Sequence, residues 1–580
     1  MERKRSGSRS TTVADARLHI ALFEGIRGVD RRKLPHEVLA GVTLAALTIP
    51  MNIGYAQVAG LPPIVGLYAS IFPMLLFAAF SSSRQLVAGP DAPTAVLIGS
   101  HLASLATPGE PRYVQLAYAQ ALVCAAIFFL IWFFRLGFLG NFLSRAVLVG
   151  FVSGLGIKVL TDQIENIMGI RVEVGHLFPE VYMGWFLEVF DIALKIPQSN
   201  LYTVAIGLGT ILIIRLLRRY APRLPGALVA LVLMTVLVSV FGFDQRGVSV
   251  LGEIPSGLPT MTTPHVAATD FLDLFPGALA ICFVTLAEAL LVGRTYAQRH
   301  GYSLDANQQM FAFGAANVAA GLSGACATGS SASRTAAMDS AGTRSQIPSA
   351  VGAIVVLGVL LFFADLLALV PNAALAGIIA NAVLTLIEVG ALRVLYRVRR
   401  SEFWIGIVCL LSVLTLGSLQ AVIIAFLLSV IDVVRRAAHP STVVLGWLPG
   451  GNRFLEISRD ERAQSIPGLL IYRFEVELFF ANAETFREEV QRLIETTEPK
   501  VEWVVLDAEA VSDIDATGAE VLGQVIHYLK ERGVTFGVAQ ASIRIRSLLQ
   551  IYGLLDQIGE ERLFDTNQEA AEAHSRENDI

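Results

Sequence analysis

Residues 321–345 constrain this chain more than any other stretch. GLSGACATGSSASRTAAMDSAGTRS gathers small and hydroxyl side chains, with Arg334 among them, inside a sequence that is otherwise strongly apolar. A lipid-facing helix cannot carry such a run, because a charged residue at bilayer depth costs about 2.5–3.5 kcal/mol even on the mildest scale. The segment therefore lines something polar. Glycine-rich extended backbone that turns into a short helix at Ser330 leaves amide groups free at that end, and such an end attracts anions. A matching break lies far upstream in 87–99, VAGPDAPTAVLIG. Two interrupted helices in different halves of a hydrophobic chain predict a transporter built from inverted repeats.

Composition places both breaks in a membrane. Of 580 residues, 54% are hydrophobic and only 16% charged, and the mean hydropathy of +0.60 demands many spans. The net charge of −5 is spread over two unlike regions and implies no nucleic-acid partner. Cys124, Cys282, Cys326 and Cys409 all fall in apolar or pore-lining segments without metal-like spacing, so buried small hydrophobes are expected rather than disulfides. The first residues, MERKRSGSRSTTVADA, have no apolar core close behind them, which argues against a cleaved signal peptide and for a disordered cytoplasmic segment over 1–35.

Hydropathy sets the spans of a transmembrane domain over 36–437. They are expected at 37–58, with Pro50 in the middle, and at 63–81. Extended backbone through SSSRQLVAGP and a half-helix at 91–101 come next, then spans at 115–134, 144–160, 201–217, 225–243, 275–292 and 309–322. A second half-helix covers 330–341, and four more elements fit between Pro348 and Val434, for fourteen in all. Residues 161–200 read as interfacial. With the N-terminus inside, the connections bearing Arg84, Arg135 with Arg145, 215–223, Arg294 with Arg299, Arg344, 393–400 and Arg435 with Arg436 share one face. The positive-inside rule makes that face cytoplasmic in a cell (inner) membrane and points the two half-helix N-termini at each other.

Past Pro440 the composition turns charged and alternating. GLLIYRFEVELFF reads as one or two strands, VEWVVLDAEAV and VTFGVAQ as strands, and ETFREEVQRLIETT, ATGAEVLGQVIHYLKERG and IRSLLQIYGLLDQI as helices. This predicts a small cytoplasmic α/β domain over 438–568, with a frayed, disordered tail over 569–580.

Several stretches, in order, resemble the sulfate permease (SulP, SLC26) family of anion transporters: AGVTLAALTIP, YAQVAGLPPIVGLYAS, SSSRQLVAGP, ANVAAGLSG, ATGSSASRTA, and in the tail LFFANAETF with VSDIDATGAEVL. The resemblance implies a polytopic α-helical protein with fourteen elements in a seven-plus-seven inverted repeat. It further implies a core domain moving against a gate domain, a C-terminal STAS domain like anti-sigma-factor antagonists, and a homodimer. The substrate would sit between the two half-helix ends, held by backbone amides and by side chains of the first and tenth elements.

On that pattern the candidate anion site comprises Gly89, Pro90, Gly329, Ser330 and Ser331 at the half-helix starts, where each N-terminus offers unpaired amides and roughly half a positive charge. Ser333 adds a further hydroxyl donor. Arg334, in the first turn, matches an arginine of the family motif; a structural ion pair with Asp91 is the alternative. Asp91 reads first as an N-cap and second as a residue that tunes the substrate. Tyr55 points at the pocket or packs the helix. At Met51 many relatives carry glutamine, so one polar contact is missing. Glu288, the lone acid of its span, reads as a proton carrier or a partner in a static pair; it aligns with a carboxyl that couples relatives to cations. Sodium-coupled bicarbonate relatives have a hydroxyl where Val292 stands, which disfavours a sodium site.

In the tail, Thr517 falls where antagonist proteins carry a phosphorylated serine, and Asp515 precedes it; a helix N-cap explains Thr517 equally. No nucleotide loop and no cluster of His, Cys or carboxylate residues occurs, so catalysis, a cofactor and a metal are not expected. The leading expectation is secondary active symport of protons with sulfate or a related oxyanion or carboxylate. The alternatives are a chloride/bicarbonate exchanger or uncoupled pathway, and a membrane-anchored anion sensor.

Overall fold

Proline and glycine set the breaks in the membrane half. A computed structural model describes residues 20–27, 31–138, 145–170, 184–221, 224–449, 453–460 and 462–578. Most of the N-terminal segment, 171–183 of the interfacial stretch and Arg223 lie outside the described residues. The chain divides into two compact units, 1–429 and 430–580.

In the first unit, α1 (Leu34–Val58) continues through Pro50 as one helix. The second span is instead split into α2 (Pro63–Tyr68) and α3 (Phe72–Phe80). Pro73 sits in the first turn of α3, where its missing N–H leaves no intrahelical bond unmade, so the chain can break before it. Strand β1 (Val87–Gly89) leads into α4 (Ala92–Leu102), followed by α5 (Pro111–Phe133), α6 (Arg145–Met168), the short amphipathic α7 (Gly184–Lys195), α8 (Leu201–Tyr220) and α9 (Gly226–Phe241).

The second half opens with α10 (Ala268–His300), whose 33 residues span about 50 Å and so overrun a hydrocarbon core of about 30 Å. Then come α11 (Ala306–Leu322), β2 (Gly329–Ser331), α12 (Ala332–Ser340), α13 (Ile347–Phe362), α14 (Ala364–Ala368), α15 (Asn372–Val383), α16 (Val389–Val398), α17 (Arg400–Leu416) and α18 (Ser418–Ala438). The halves correspond element by element. One comprises α1, α2 with α3, β1 with α4, α5, α6, α8 and α9; the other comprises α10, α11, β2 with α12, α13, α15, α17 and α18. Helix α16, none of whose residues is buried, is an addition between spans.

Strands β1 and β2 pair antiparallel, Val87 with Ser331, Ala88 with Ser330 and Gly89 with Gly329, and all six residues are buried. Non-helical backbone survives at this depth because each strand satisfies the other. An antiparallel ladder also sends the two half-helices away in opposite directions, which inverts the repeat. The run before β2 is fixed by Asn317 of α11, which accepts from the Thr328 N–H at 2.9 Å and donates to its carbonyl at 3.1 Å.

The second unit begins inside α18 rather than after it. The last turn of that helix accepts hydrogen bonds from Asn482 at Ala437 (3.3 Å) and from Thr485 at Ala438 (3.0 Å), so it packs with the C-terminal unit. Strands β3 (Thr442–Trp447) and β4 (Phe454–Glu456) precede β5 (Leu469–Phe474), α19 (Ala483–Thr496), β6 (Trp503–Asp507), α20 (Ala516–Glu531), β7 (Thr535–Ala539), α21 (Ile543–Ile551), α22 (Leu555–Ile558), β8 (Leu563–Phe564) and α23 (Asn567–Asn578). The sheet order is β4-β3-β5-β6-β7-β8, with β5 to β8 parallel.

Alternation splits each strand between two cores. Leu470, Tyr472 and Phe474 join α19 and α20 on one face, while Leu469, Ile471, Trp503 and Val505 meet Ala570 and Ala571 of α23 on the other. The expected frayed tail is therefore corrected: 569–578 belong to a helix that covers the second face of the sheet. Its seat is secured by the bidentate Arg562–Glu577 pair (3.0 Å) and by the Asn567 amide on the fully buried Asp507 carboxylate (2.7 Å). Polar composition misled here because only one narrow alanine stripe touches the sheet.

Candidate anion site

The centre of the first unit is built by reciprocal reach across the two-strand ladder. Asp91 caps its own helix, Oδ1 accepting from the Thr94 N–H at 3.0 Å, as the sequence predicts. It also lies over the opposite strand. A Cβ placed on Gly329 would stand 2.5 Å from Thr94 Oγ1, 3.0 Å from Thr285 Oγ1 and 3.4 Å from Asp91 Oδ1. Arg334 reaches the other way, and a Cβ on Gly89 would meet its Nη1 at 2.8 Å. Each glycine is thus required by a polar side chain from the other half.

Arg334 is 1% exposed. Its Nε donates to Ser331 Oγ at 2.9 Å, Nη1 to Asn52 Oδ1 at 2.9 Å and Nη2 to the Pro90 carbonyl at 2.5 Å. The alternative of an ion pair with Asp91 is not what forms; the guanidinium is braced by neutral acceptors. It sits beneath the ladder as a fixed positive charge.

Glu288 of α10 faces the start of α12, its Oε1 accepting from the Ala332 N–H at 3.4 Å. Oε2 is buried and meets no N–H or hydroxyl donor among the described residues; the Asp91 carboxyl is close enough to interact with that of Glu288, and a hydrogen bond between the two acids requires that one of them carries a proton. The hydroxyls of Thr285 and Ser330 are also buried without partners among the described residues. Ser331 is buried, Ser333 is exposed beside it, and Glu288 and Ala332 are partly exposed. Tyr55 and Met51 are both buried on α1, and Tyr55 feels the charges of Arg334, Asp91 and Glu288.

Residues Tyr55, Gly89, Pro90, Asp91, Glu288, Gly329, Ser330, Ser331 and Arg334 are thereby brought into one neighbourhood. Asn52 and Thr285 are participants that sequence reasoning passed over. The signal for Asn52 is an amide next to Met51 in a largely apolar helix that also carries Gln57, and for Thr285 a hydroxyl three residues before Glu288. In the second unit, Asp515 is the N-cap of α20, accepting from the Gly518 N–H at 2.7 Å, and its other oxygen takes the Phe480 N–H at 2.9 Å. Thr517 is not the cap. It lies exposed in the first turn, because the cap must precede the helix and Asp515 holds that position.

An inverted pair of helical halves that meet at broken helices, with charge held at the break, is the architecture of a multi-pass membrane transporter. The chain belongs to the sulfate permease family, whose profile matches residues 34–409, and a STAS domain profile matches 462–570. It is 38% identical over 550 residues to a probable sulfate transporter of Mycobacterium tuberculosis, covering 95% of this chain and 97% of that one. Sulfate transporter 1.3 of Arabidopsis thaliana is 28% identical, with 93% and 84% covered.

Among solved structures, murine Solute Carrier 26 family member A9, an anion transporter in the inward-facing state, superposes with a TM-score of 0.84 at 22% identity, covering 94% of this chain and 92% of that one. The transmembrane domain of a cyanobacterial bicarbonate transporter, BicA, gives 0.59 at 23% identity, covering 68% and 98%. The protein is an anion transporter of this family and not an enzyme.

Proposed function

We propose that the chain is a proton-coupled symporter of sulfate or a related oxyanion or carboxylate, with Glu288 as the proton carrier. The observation that carries this reading is the position of the Glu288 carboxyl between the Ala332 N–H and the Asp91 carboxyl. The start of α12 is where an anion would bind, and when Glu288 is ionised that place is held by an anion tethered to the protein. A proton on Glu288 removes the internal competitor and leaves the amide and the Arg334 field to the substrate. Proton and anion then bind together and leave together, the thermodynamic condition for symport. Buried hydroxyls of Ser330 and Thr285, without partners among the described residues, supply donors to an oxyanion.

The half-helix pair with its supporting helices would move as a core against the remaining helices, in an elevator-like exchange of access. The names of the mycobacterial and plant relatives favour sulfate. The positive-inside count favours a cell membrane with both termini cytoplasmic, and a homodimer is the expected assembly. The second unit would serve dimerisation, trafficking or regulation, with exposed Thr517 open to modification. The test is sulfate uptake by proteoliposomes under an imposed pH gradient. An inward proton gradient should stimulate wild-type uptake, and Glu288→Gln should transport without responding to it. Uptake in the variant that still tracks the gradient would leave the exchanger or uncoupled pathway as the better account; ligand binding with no accumulation would leave the sensor.

A further inference from the structure

Arg334 carries a full positive charge into the interior, yet each acceptor it reaches is neutral: a serine hydroxyl, a proline carbonyl and the Asn52 amide oxygen. Among the described residues no carboxylate oxygen lies within 4.0 Å of its guanidinium nitrogens. Of the three acceptors, Asn52 is the one that a change from nitrogen to oxygen would convert into an anion without altering shape. Its amide is not free to turn. Nδ2 donates to Ser70 Oγ at 2.6 Å and to the Gly66 carbonyl at 3.3 Å, which leaves Oδ1 to face the arginine. Helix α2 and the turn after it supply those acceptors, and α2 is pressed against α1, since a Cβ on Gly66 would lie 2.0 Å from the Asn52 carbonyl oxygen. The arrangement therefore costs a precise fit and yields an acceptor without charge.

We propose that Asn52 sets the charge class of the transported anion: by holding Arg334 with a neutral oxygen it keeps the site one positive charge richer than an acid there would, and so favours doubly charged over singly charged anions. The inference deepens the symport reading and rests on it. The physical basis is that the attraction between a fixed charge and a substrate scales with the substrate's charge. Neutralising the arginine weakens the hold on a dianion about twice as much, in free energy, as the hold on a monoanion. Asn52 touches Arg334 and acts through it, so it is a positioning residue.

The experiment measures radiolabelled sulfate uptake by full-length protein in proteoliposomes, with competition by thiosulfate as dianion and formate as monoanion. In the wild type, thiosulfate should displace sulfate at least roughly tenfold better than formate. Asn52→Asp should raise the sulfate KM and lower the thiosulfate-to-formate preference by about tenfold. Asn52→Leu removes the hydrogen bonds without adding charge, so it should weaken both competitors alike and leave their ratio within about twofold.

A wild type that does not distinguish the competitors overturns the proposal by itself, even should Asn52→Asp fail to fold. So does an unchanged ratio in Asn52→Asp, or an equal shift in Asn52→Leu, either of which would make Asn52 a packing residue only. Absence of saturable sulfate uptake by the wild type would remove sulfate from the symport reading and this proposal with it. Saturable uptake with an unaltered preference removes the proposal alone.

Discussion

The half-helices α4 and α12 start on the same ladder and are completed in opposite ways. Helix α4 is self-contained: Asp91 caps it from within its own segment, nearly every residue is buried, and its far end closes on His101, whose Nδ1 lies 3.2 Å from the Gln120 amide nitrogen. Helix α12 has no side-chain cap of its own. Its first amide is met by Glu288 from α10, and its arginine is held by α1 and by the segment that leads into α4. At its far end Asp339 takes Arg299 (2.6 Å) and His300 (2.5 Å), while the Ala341 carbonyl meets His36 (2.5 Å). One half-helix is a fixed wall. The other takes the partner of its first amide, two of the three acceptors of its arginine and the partners of Asp339 from other elements, so protonation or ligand binding at those elements acts on it directly.

The contrast can be broken most forcefully at Arg334. Arg334→Ala leaves the buried Asn52 and Pro90 oxygens without a donor, each costing about 1–3 kcal/mol, so a marked drop in unfolding temperature should accompany lost uptake. Lost uptake with an unshifted unfolding temperature would mean that Arg334 contacts the anion and braces nothing. Next are the glycines. Gly329→Ala forces a Cβ to 2.5 Å from Thr94 Oγ1 and should cost about 1–3 kcal/mol. Removing the hydroxyl with Thr94→Ala should restore part of that, and strict additivity in this double-mutant cycle would contradict the reach of Thr94 across the ladder.

Asp91→Ala is expected to cost about 1 kcal/mol, the usual loss of an N-cap, while uptake keeps its response to the proton gradient. If it abolished that response as Glu288→Gln should, the two acids would be equivalent and the contrast gone. The smallest effect belongs to the far end of α12. Asp339→Asn removes the charge from a side chain that is 7% exposed but keeps an oxygen toward Arg299 and His300, so about 1 kcal/mol should be lost in thermal unfolding. A larger loss would show that this end, and not the ladder, fixes the helix.

Legibility tracked the range of the interaction. The breaks at 87–91 and 321–331 were readable because glycine, proline and serine act on the backbone within a few residues, and the Asp91 cap is local for the same reason. The split of α2 from α3 falls at Pro73, but Pro50 lies inside a continuous helix, so proline alone does not separate the two cases. The role of Asn52 was not readable, since its partner lies 282 residues away and only packing of α1 against the ladder brings them together. The tail helix α23 failed to show in composition because its value depends on a sheet face that exists only after folding.

Sequence by itself determined that this chain lies in a membrane, where its two helices are interrupted, and which family it joins, because hydropathy and backbone preference are properties of short windows. Tertiary structure alone decided that Arg334 is held by neutral acceptors, that Glu288 rather than a residue of α12 meets the first amide of that helix, and that the last residues close the second unit. Each of those facts depends on which distant surfaces come into contact, and a linear pattern does not encode that distance.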